Sequence, residues 1–375
     1  MKMTAAGSLR PDSVDFAEQE EATLQTVCPG IVAEARVEPA WLDHTPDPIW
    51  GAHGTMAMAW AADPDVRFQS ATGGVLTALG MFLIESGQVS TVEHVGADPA
   101  AAMRSVAGSS SSQNEVLART GSRYGPTAPL ARFHAALDRG QPFAVIAKPC
   151  DLGAVHRLAA IDSRVDELCV ARLAMVCGGS SRLTKSQSLL EEFGVAEHEL
   201  STFRYRGYGN PGPTVVETVD GRRFDKTYLE LWEDEGSWQI ETRCKLCPDA
   251  LGEAADIAAA DAWPGGAPVG DDEGFNVVIC RSVAGEKMVA DAVAEGYLVL
   301  DRAVTAREFD AFQPHQVRKK EALAARYQGM AEAGVTPIKT IGLRIEALGA
   351  RLDEAPSDAQ RSGTARRLRR DEPGS

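Results

Sequence analysis

Short apolar runs alternate with segments of helical spacing along most of this chain, and this alternation argues for an α/β protein. Strands are expected at Thr55–Ala61, Val89–Gly96, Pro142–Ala147, Leu168–Val176 and Asp256–Ala260. Helices are expected at Gly74–Ser86, Asn114–Arg119, Pro129–Arg139, Leu152–Ala160 and Ser186–Phe193; the third and fifth run into Gly140 and Gly194, a common helix stop. Thr202–Arg206 and Thr214–Val219 read as a strand pair around the turn sequence GYGNPGP. Asn276–Arg281, Gly285–Glu295 and Tyr297–Leu300 read as one compact β-α-β unit, and Thr305–Leu352 as mostly helical with an interruption near Pro337. The expected fold is α/β: an open mixed sheet core with flanking helices, a smaller α/β C-terminal part and a helical tail. Residues 1–25 are polar and acidic and read as a flexible lead-in, and SGTARRLRRDEPGS at the other end reads as a frayed helix end or solvated tail.

At 375 residues the chain is long enough for a sizeable core without disulfide staples. Its 38 basic against 53 acidic residues leave a net charge of −15, which excludes a nucleic-acid clamp but not a small anion held by a local loop. The most apolar stretches, Val75–Ile84 and Phe143–Ala147, fall short of the ~18–20 residues of a membrane span. The first residues lack the apolar centre of a secretory signal, so a soluble, cytoplasmic protein is expected.

The seven cysteines, an odd count, do not look like a disulfide framework. Cys244 and Cys247 form a CxxC followed by Pro248, which is half a zinc site, half an iron–sulfur site or a redox dithiol. Cys150 and Cys177 stand at the carboxyl ends of expected buried strands, where open α/β sheets bind ligands. Cys150, Cys177, Cys244 and Cys247 therefore make a four-thiolate set suited to zinc or an iron–sulfur cluster. Cys169 and Cys280, inside apolar strands, read as core residues. The seven histidines are scattered and form no HxxxH pair.

Ser70-Ala71-Thr72-Gly73-Gly74 precedes the long apolar helix, and small residues at a helix start expose N–H groups that suit a phosphate. The loop Thr120-Gly121-Ser122-Arg123-Tyr124-Gly125-Pro126 offers one cation for a phosphate and one ring for stacking.

In order, SATGGVLTAL (70–79), TGSRYGP (120–126), KPCDLGAV (148–155), VCGG (176–179), FRYRGYGNPGP (203–213), RCKLCPDALGEAADI (243–257) and FNVVICRSVAGEKMV (275–289) resemble the coenzyme F420 hydrogenase/dehydrogenase beta-subunit family. Its relatives include 7-hydroxymethyl chlorophyll a reductase and the cyanobacterial-type divinyl reductases. The resemblance implies FAD and one [4Fe–4S] cluster, with Cys150, Cys177, Cys244 and Cys247 as cluster ligands. It implies Ser70, Thr72, Gly73, Gly74, Ser122 and Tyr124 at or near the flavin, with Arg204 and Arg206 as candidates for anionic groups. It also implies a division into a lead-in at 1–48, a flavin-binding part at 49–140, an iron–sulfur and flavin part at 141–304 and a helical tail at 305–375. Two features depart from the family. Cys28-Pro29 looks like the last Cys-Pro of a ferredoxin module with no other cysteine before it, and Asn210 stands where relatives often carry tryptophan.

The function expected from this resemblance is an oxidoreductase coupling a one-electron carrier, a ferredoxin or redox partner subunit, to hydride transfer with coenzyme F420 or a small organic substrate. The alternatives are a non-catalytic electron-relay subunit, or a binding protein with a structural four-cysteine zinc site. No catalytic residue is assigned; His53, Asp151 and Tyr124 are the groups considered for a proton donor.

Overall fold

The computed structural model describes residues 1–12, 16–42, 44–232, 234–268 and 273–370. Its centre is an eight-stranded sheet: β1 (Met56–Ala61), β2 (Thr91–Asp98), β3 (Ala101–Ser110), β4 (Phe143–Ala147), β5 (Cys169–Met175), β6 (Ile257–Asp261), β7 (Asn276–Cys280) and β8 (Leu298–Ala303). The spatial order is β8-β1-β7-β6-β5-β4-β2-β3. The run β2, β4, β5, β6 is parallel, while β7, β1 and β8 alternate in direction and β3 pairs antiparallel to β2.

The central strands are apolar on both sides because both faces are covered. One face packs Trp50, Phe133, Phe143, Val145, Leu152 and Phe309 into a core. The other packs Leu79, Phe82, Val92, Leu173, Ile257 and Val278. The helix Val75–Glu85 lies in this second layer and buries Val75, Ala78, Leu79, Phe82 and Leu83. Each large side chain there contributes about 1.5–3 kcal/mol of burial. A separate antiparallel sheet of Leu200–Arg204, Thr214–Thr218 and Arg223–Lys226 carries its own small core around Phe203, Tyr205 and Val216.

Four expectations change. The β-α-β unit is not closed on itself: β1 inserts between β7 and β8, so the helix Val283–Ala294 crosses over a strand from elsewhere in the chain. Strand β3 was not foreseen, because AAMRSVAGSS is an edge strand of small and polar residues without clear alternation. The lead-in is structured, with a short pairing of Lys2–Met3 and Leu9–Arg10 and a helix at Glu18–Val27. That helix buries no residue and so shows no apolar period; Arg157 Nε ties it down by donating to the Thr26 carbonyl at 2.6 Å. Residues 13–15 lie outside the described residues. Finally, the C-terminal arginines belong to a packed helix, Glu354–Arg370, in which Thr364 and Ala365 are buried and small Gly329 of the neighbouring helix lets the backbone at Arg361 approach. Residues 371–375 of that tail lie outside the described residues.

Candidate functional site

Strands β4, β5 and β6 end on one edge of the sheet, and antiparallel β7 begins there, so their last residues meet. Over this edge fold residues 70–77, loop 119–125 and residues 313–316, enclosing a cavity of about 300 Å³. Position in an open α/β sheet makes this the expected ligand site.

Gly74 caps the helix Val75–Glu85 at φ +75°, a left-handed conformation that favours glycine. Asn276 Oδ1 takes the first helical N–H, from Val75, at 3.2 Å. Ser70 donates to the Val66 carbonyl at 2.7 Å, and Thr72 donates to Asp261 Oδ1 at 3.0 Å. The Thr72 hydroxyl thus ties the loop to the end of β6, and the Ser70 hydroxyl ties it to the preceding helix. Ser70, Thr72, Gly74, Ser122 and Tyr124 all line the cavity. Gly73 instead packs against the sheet, where an added Cβ would meet Asn276 N at 2.7 Å and the Ala59 carbonyl at 2.9 Å.

The opposite wall is aromatic and cationic. Arg206, 4% exposed, pairs with Asp261 Oδ2 at 2.9 Å and donates to the Ala71 carbonyl at 2.9 Å and Tyr124 Oη at 3.3 Å. Its guanidinium lies 5.1 Å from the Tyr228 ring and 5.7 Å from the Trp263 ring. Burial opposes its charge, but Asp261 and Tyr124 outweigh burial and hold it firmly protonated. Burial, with Arg119 adding, lowers His94 to about 4; burial, with Lys319 and Arg318 adding, lowers His315 to about 4. Both imidazoles line the cavity and are neutral at pH 7. Thr127 Oγ1, Arg206 Nε, Trp263 Nε1 and Gln316 Oε1 are buried without hydrogen-bond partners, and all four residues line the same cavity. Buried polar atoms without partners are rare, and the four that line this cavity fit a polar, ring-bearing ligand, although others occur elsewhere among the described residues.

The cavity reaches Lys148 and the stretch Cys177–Ser180, which brings it to the thiols. Cys150 lies in the first turn of the helix Pro149–Ala159, which begins earlier than expected because Pro149 suits a first helical position. Cys177 follows β5, and its N–H donates to the Ala250 carbonyl at 2.8 Å. Ser180 N–H donates to Cys244 Sγ at 3.4 Å, and Cys247 Sγ–H donates to the Asp249 carbonyl at 3.0 Å. Burial pushes the Cys150 thiol well up, with Asp151 and Cys247 adding. Burial also raises Cys177, with Cys244 adding against Lys319. Cys247 is pushed up to about 11 by burial, then by Asp249, Cys177 and Cys244 against Lys319. Cys247 therefore feels each of the other three thiols. Cys150, Cys177 and Cys247 are therefore neutral until a bound cation stabilises the thiolate. All four are free, and Lys148, Arg243 and Lys319 supply positive charge around them. Among the described residues no three His, Cys, Asp or Glu side chains close on a single metal ion.

Several expectations land elsewhere. Arg123 is spent on structure: it donates to Ser105 Oγ and to the carbonyls of Phe203, Ala102, Met103 and Arg104, which removes it as a phosphate partner. Arg204 stacks on Tyr208 at 4.1 Å rather than lining the cavity. His53 lies in a groove beside β8, with its Nδ1 2.9 Å from the Gly51 carbonyl. Asp151 pairs with Lys148 at 3.1 Å, and Tyr124 alone of the three considered proton donors faces the cavity. Cys28 sits beside Arg243, whose charge also faces Cys150, Cys244 and Cys247. Asp261, Asn276, Trp263, His315 and Gln316 were missed. Polar residues at the ends of the apolar runs IAAAD and NVVIC were the available signal for the first two. Nothing in the expected helical tail marked His315 or Gln316.

By architecture this is a mixed α/β protein whose cavity opens over the carboxyl ends of its parallel strands. The chain belongs to the coenzyme F420 hydrogenase/dehydrogenase beta-subunit family: residues 56–133 match the family's N-terminal profile and residues 140–305 match its C-terminal profile. It is 24% identical over 261 residues to the F420-dependent formate dehydrogenase subunit beta of Methanocaldococcus jannaschii, covering 66% of this chain and 63% of that one. A likeness of 24% over 247 residues links it to the F420-dependent formate dehydrogenase 1 subunit beta of Methanococcus maripaludis, covering 64% of this chain and 59% of the relative. The chain thus spans less than two thirds of these relatives' length. In fold it is similar to a chain of the F420-reducing [NiFe] hydrogenase complex from Methanosarcina barkeri, with a TM-score of 0.59 and 18% identity over 79% of this chain and 98% of that one. Among the described residues no helix is long and apolar enough to cross a membrane.

Proposed function

We propose that this member of an oxidoreductase family holds FAD in the cavity and a [4Fe–4S] cluster on Cys150, Cys177, Cys244 and Cys247, and works in the cytoplasm with a ferredoxin or redox partner subunit. The observation that carries this reading is the continuity of the two regions: the cavity with four unpartnered polar atoms ends at Cys177, one of the four cysteines of the set. When bound, such a flavin would exchange a hydride with coenzyme F420 or an organic substrate, and the cluster would exchange the same two electrons one at a time with the carrier. The chain's own residues prepare the ground. Arg206, fixed by Asp261, presents a permanent positive charge to an anionic group of flavin or substrate. Tyr124, Tyr228 and Trp263 offer ring faces, and the neutral His94 and His315 add no charge. Lys148, held charged by Asp151 against the cost of burial, lies between cavity and thiols.

The relatives are beta subunits of F420-dependent formate dehydrogenases, which favours a second reading in which this chain only relays electrons within a complex. Anaerobic purification with iron, zinc and flavin quantified on one sample tests the first. About four irons and one FAD per chain, with broad absorption near ~400 nm, are expected. Colourless protein with one zinc and no flavin overturns it. Loaded chain that reduces no acceptor until a partner is added supports the relay.

A further inference from the structure

We propose that the helices Pro314–Glu321 and Leu323–Glu332 are part of the thiol site, with Gln316, Arg326 and Tyr327 as positioning residues that hold the backbone carrying Cys177, Cys244 and Cys247. Both family profiles end before these helices, at residues 133 and 305. Gln316, 2% exposed, donates through Nε2 to the Cys177 carbonyl at 3.1 Å. Arg326 donates to the Lys245 carbonyl at 2.7 Å, and Tyr327 Oη–H donates to the Leu246 carbonyl at 3.3 Å. Lys245 and Leu246 are the two residues between the CxxC thiols, so the loop is gripped at both of its middle carbonyls. The loop's own closing bond, from Cys247 N–H to the Cys244 carbonyl, is long at 3.4 Å and would hold it poorly alone.

The grip is itself braced. Arg326 Nε donates to Gln360 Oε1 of the last helix at 2.9 Å. Lys320, beside Lys319 and one turn from Gln316, is buried against Glu253, whose second oxygen takes Arg344 at 2.6 Å. Glu253 follows directly from the CxxC segment, where Asp249 accepts the N–H groups of Leu251, Gly252 and Glu253 at 2.9–3.0 Å. The segment after the thiols and the helices over them are thus locked as one unit.

The test has two readouts on the full chain, and only the second rests on the cluster proposed above. In metal-free protein, the rate of alkylation of Cys244 and Cys247 by iodoacetamide is followed by mass spectrometry, with Cys28 as reference. Arg326→Ala and Tyr327→Phe are expected to speed it about ten-fold, the effect size usual for groups that orient ligands, and Arg326→Lys to restore part of it. Arg361→Ala, which removes only exposed pairs with Glu332 and Asp358, is expected to leave it unchanged. After anaerobic loading with iron and sulfide, the same variants are expected to release iron to a chelator about ten-fold faster. Equal alkylation in Arg326→Ala, Tyr327→Phe and the parent overturns the proposal. If Arg326→Ala exposes the core thiols Cys169 and Cys280 as well, it has unfolded and Tyr327→Phe decides. A parent chain that takes up no iron overturns the cluster reading, while the alkylation rates still judge the grip.

Discussion

Two buried polar regions flank the CxxC loop, and they are finished to different degrees. Around Glu253 both carboxylate oxygens meet a cation, Lys320 and Arg344, and the neighbouring Asp249 carboxylate accepts three backbone N–H groups. Around the cavity, Thr127 Oγ1, Arg206 Nε, Trp263 Nε1 and Gln316 Oε1 have no partner. Desolvating a polar atom without a hydrogen bond costs about 1–3 kcal/mol, so a folded chain tolerates several together only where something else offsets them. The contrast sets carboxylates whose oxygens are matched, with Arg281 Nε as the unpartnered atom beside them, against a cavity wall that leaves four polar atoms unmatched, as the proposed ligand site requires.

The comparison can be broken at four points. The largest effect is expected at the thiols: Cys244→Ser should abolish iron uptake, measured per chain after anaerobic loading, whereas Cys28→Ser should leave it unchanged. Equal loss in both would mean that Cys28 belongs to the site. Next, Glu253→Ala strands Lys320 without its partner at 4% exposure and should cost about 3–5 kcal/mol in urea unfolding. A loss below about 1 kcal/mol would show that the ion pair frames nothing. The third concerns acid. His94 and His315 stand at about 4 when folded but near ~6.5 when unfolded, so between these values the unfolded chain binds more protons. Stability should therefore fall as pH drops from about 6.5 to about 4, by on the order of 2–3 kcal/mol per histidine. His94→Asn should flatten that slope, and an unaltered slope would refute the assignment. The smallest effect is Thr127→Val, which removes an unpartnered hydroxyl and should change stability by less than about 1 kcal/mol. Flavin affinity, followed by fluorescence titration, should nevertheless weaken.

Much of this framework was legible because burial on both faces leaves an unmistakable mark. Runs such as FAVIA, IAAAD and NVVIC are strands that two helical layers cover, and GVLTALGMFLIES is a helix with almost no solvent face. The places of two cysteines in the fold were legible, since Cys150 and Cys177 follow strand ends as their flanking apolar runs imply. Elements held by polar contacts left no such mark. The helix Glu18–Val27 depends on Arg157 rather than on an apolar stripe, and β3 has small and polar residues at a sheet edge. Arg123 looked like a free cation because its five backbone and hydroxyl acceptors come from strands distant in sequence. Long-range acceptors of this kind cannot be read from spacing.

The placement of β1 between β7 and β8 has a temporal consequence. Met56–Ala61 leaves the ribosome long before both of its hydrogen-bonded neighbours, Asn276–Cys280 and Leu298–Ala303, are synthesised. Until then the strand has no edge to join, and closing so long a loop makes for slow assembly and an exposed apolar segment. A chain stopped at residue 133 should accordingly give no cooperative unfolding transition, and in a cell the first half must be kept from sticking until the second half arrives.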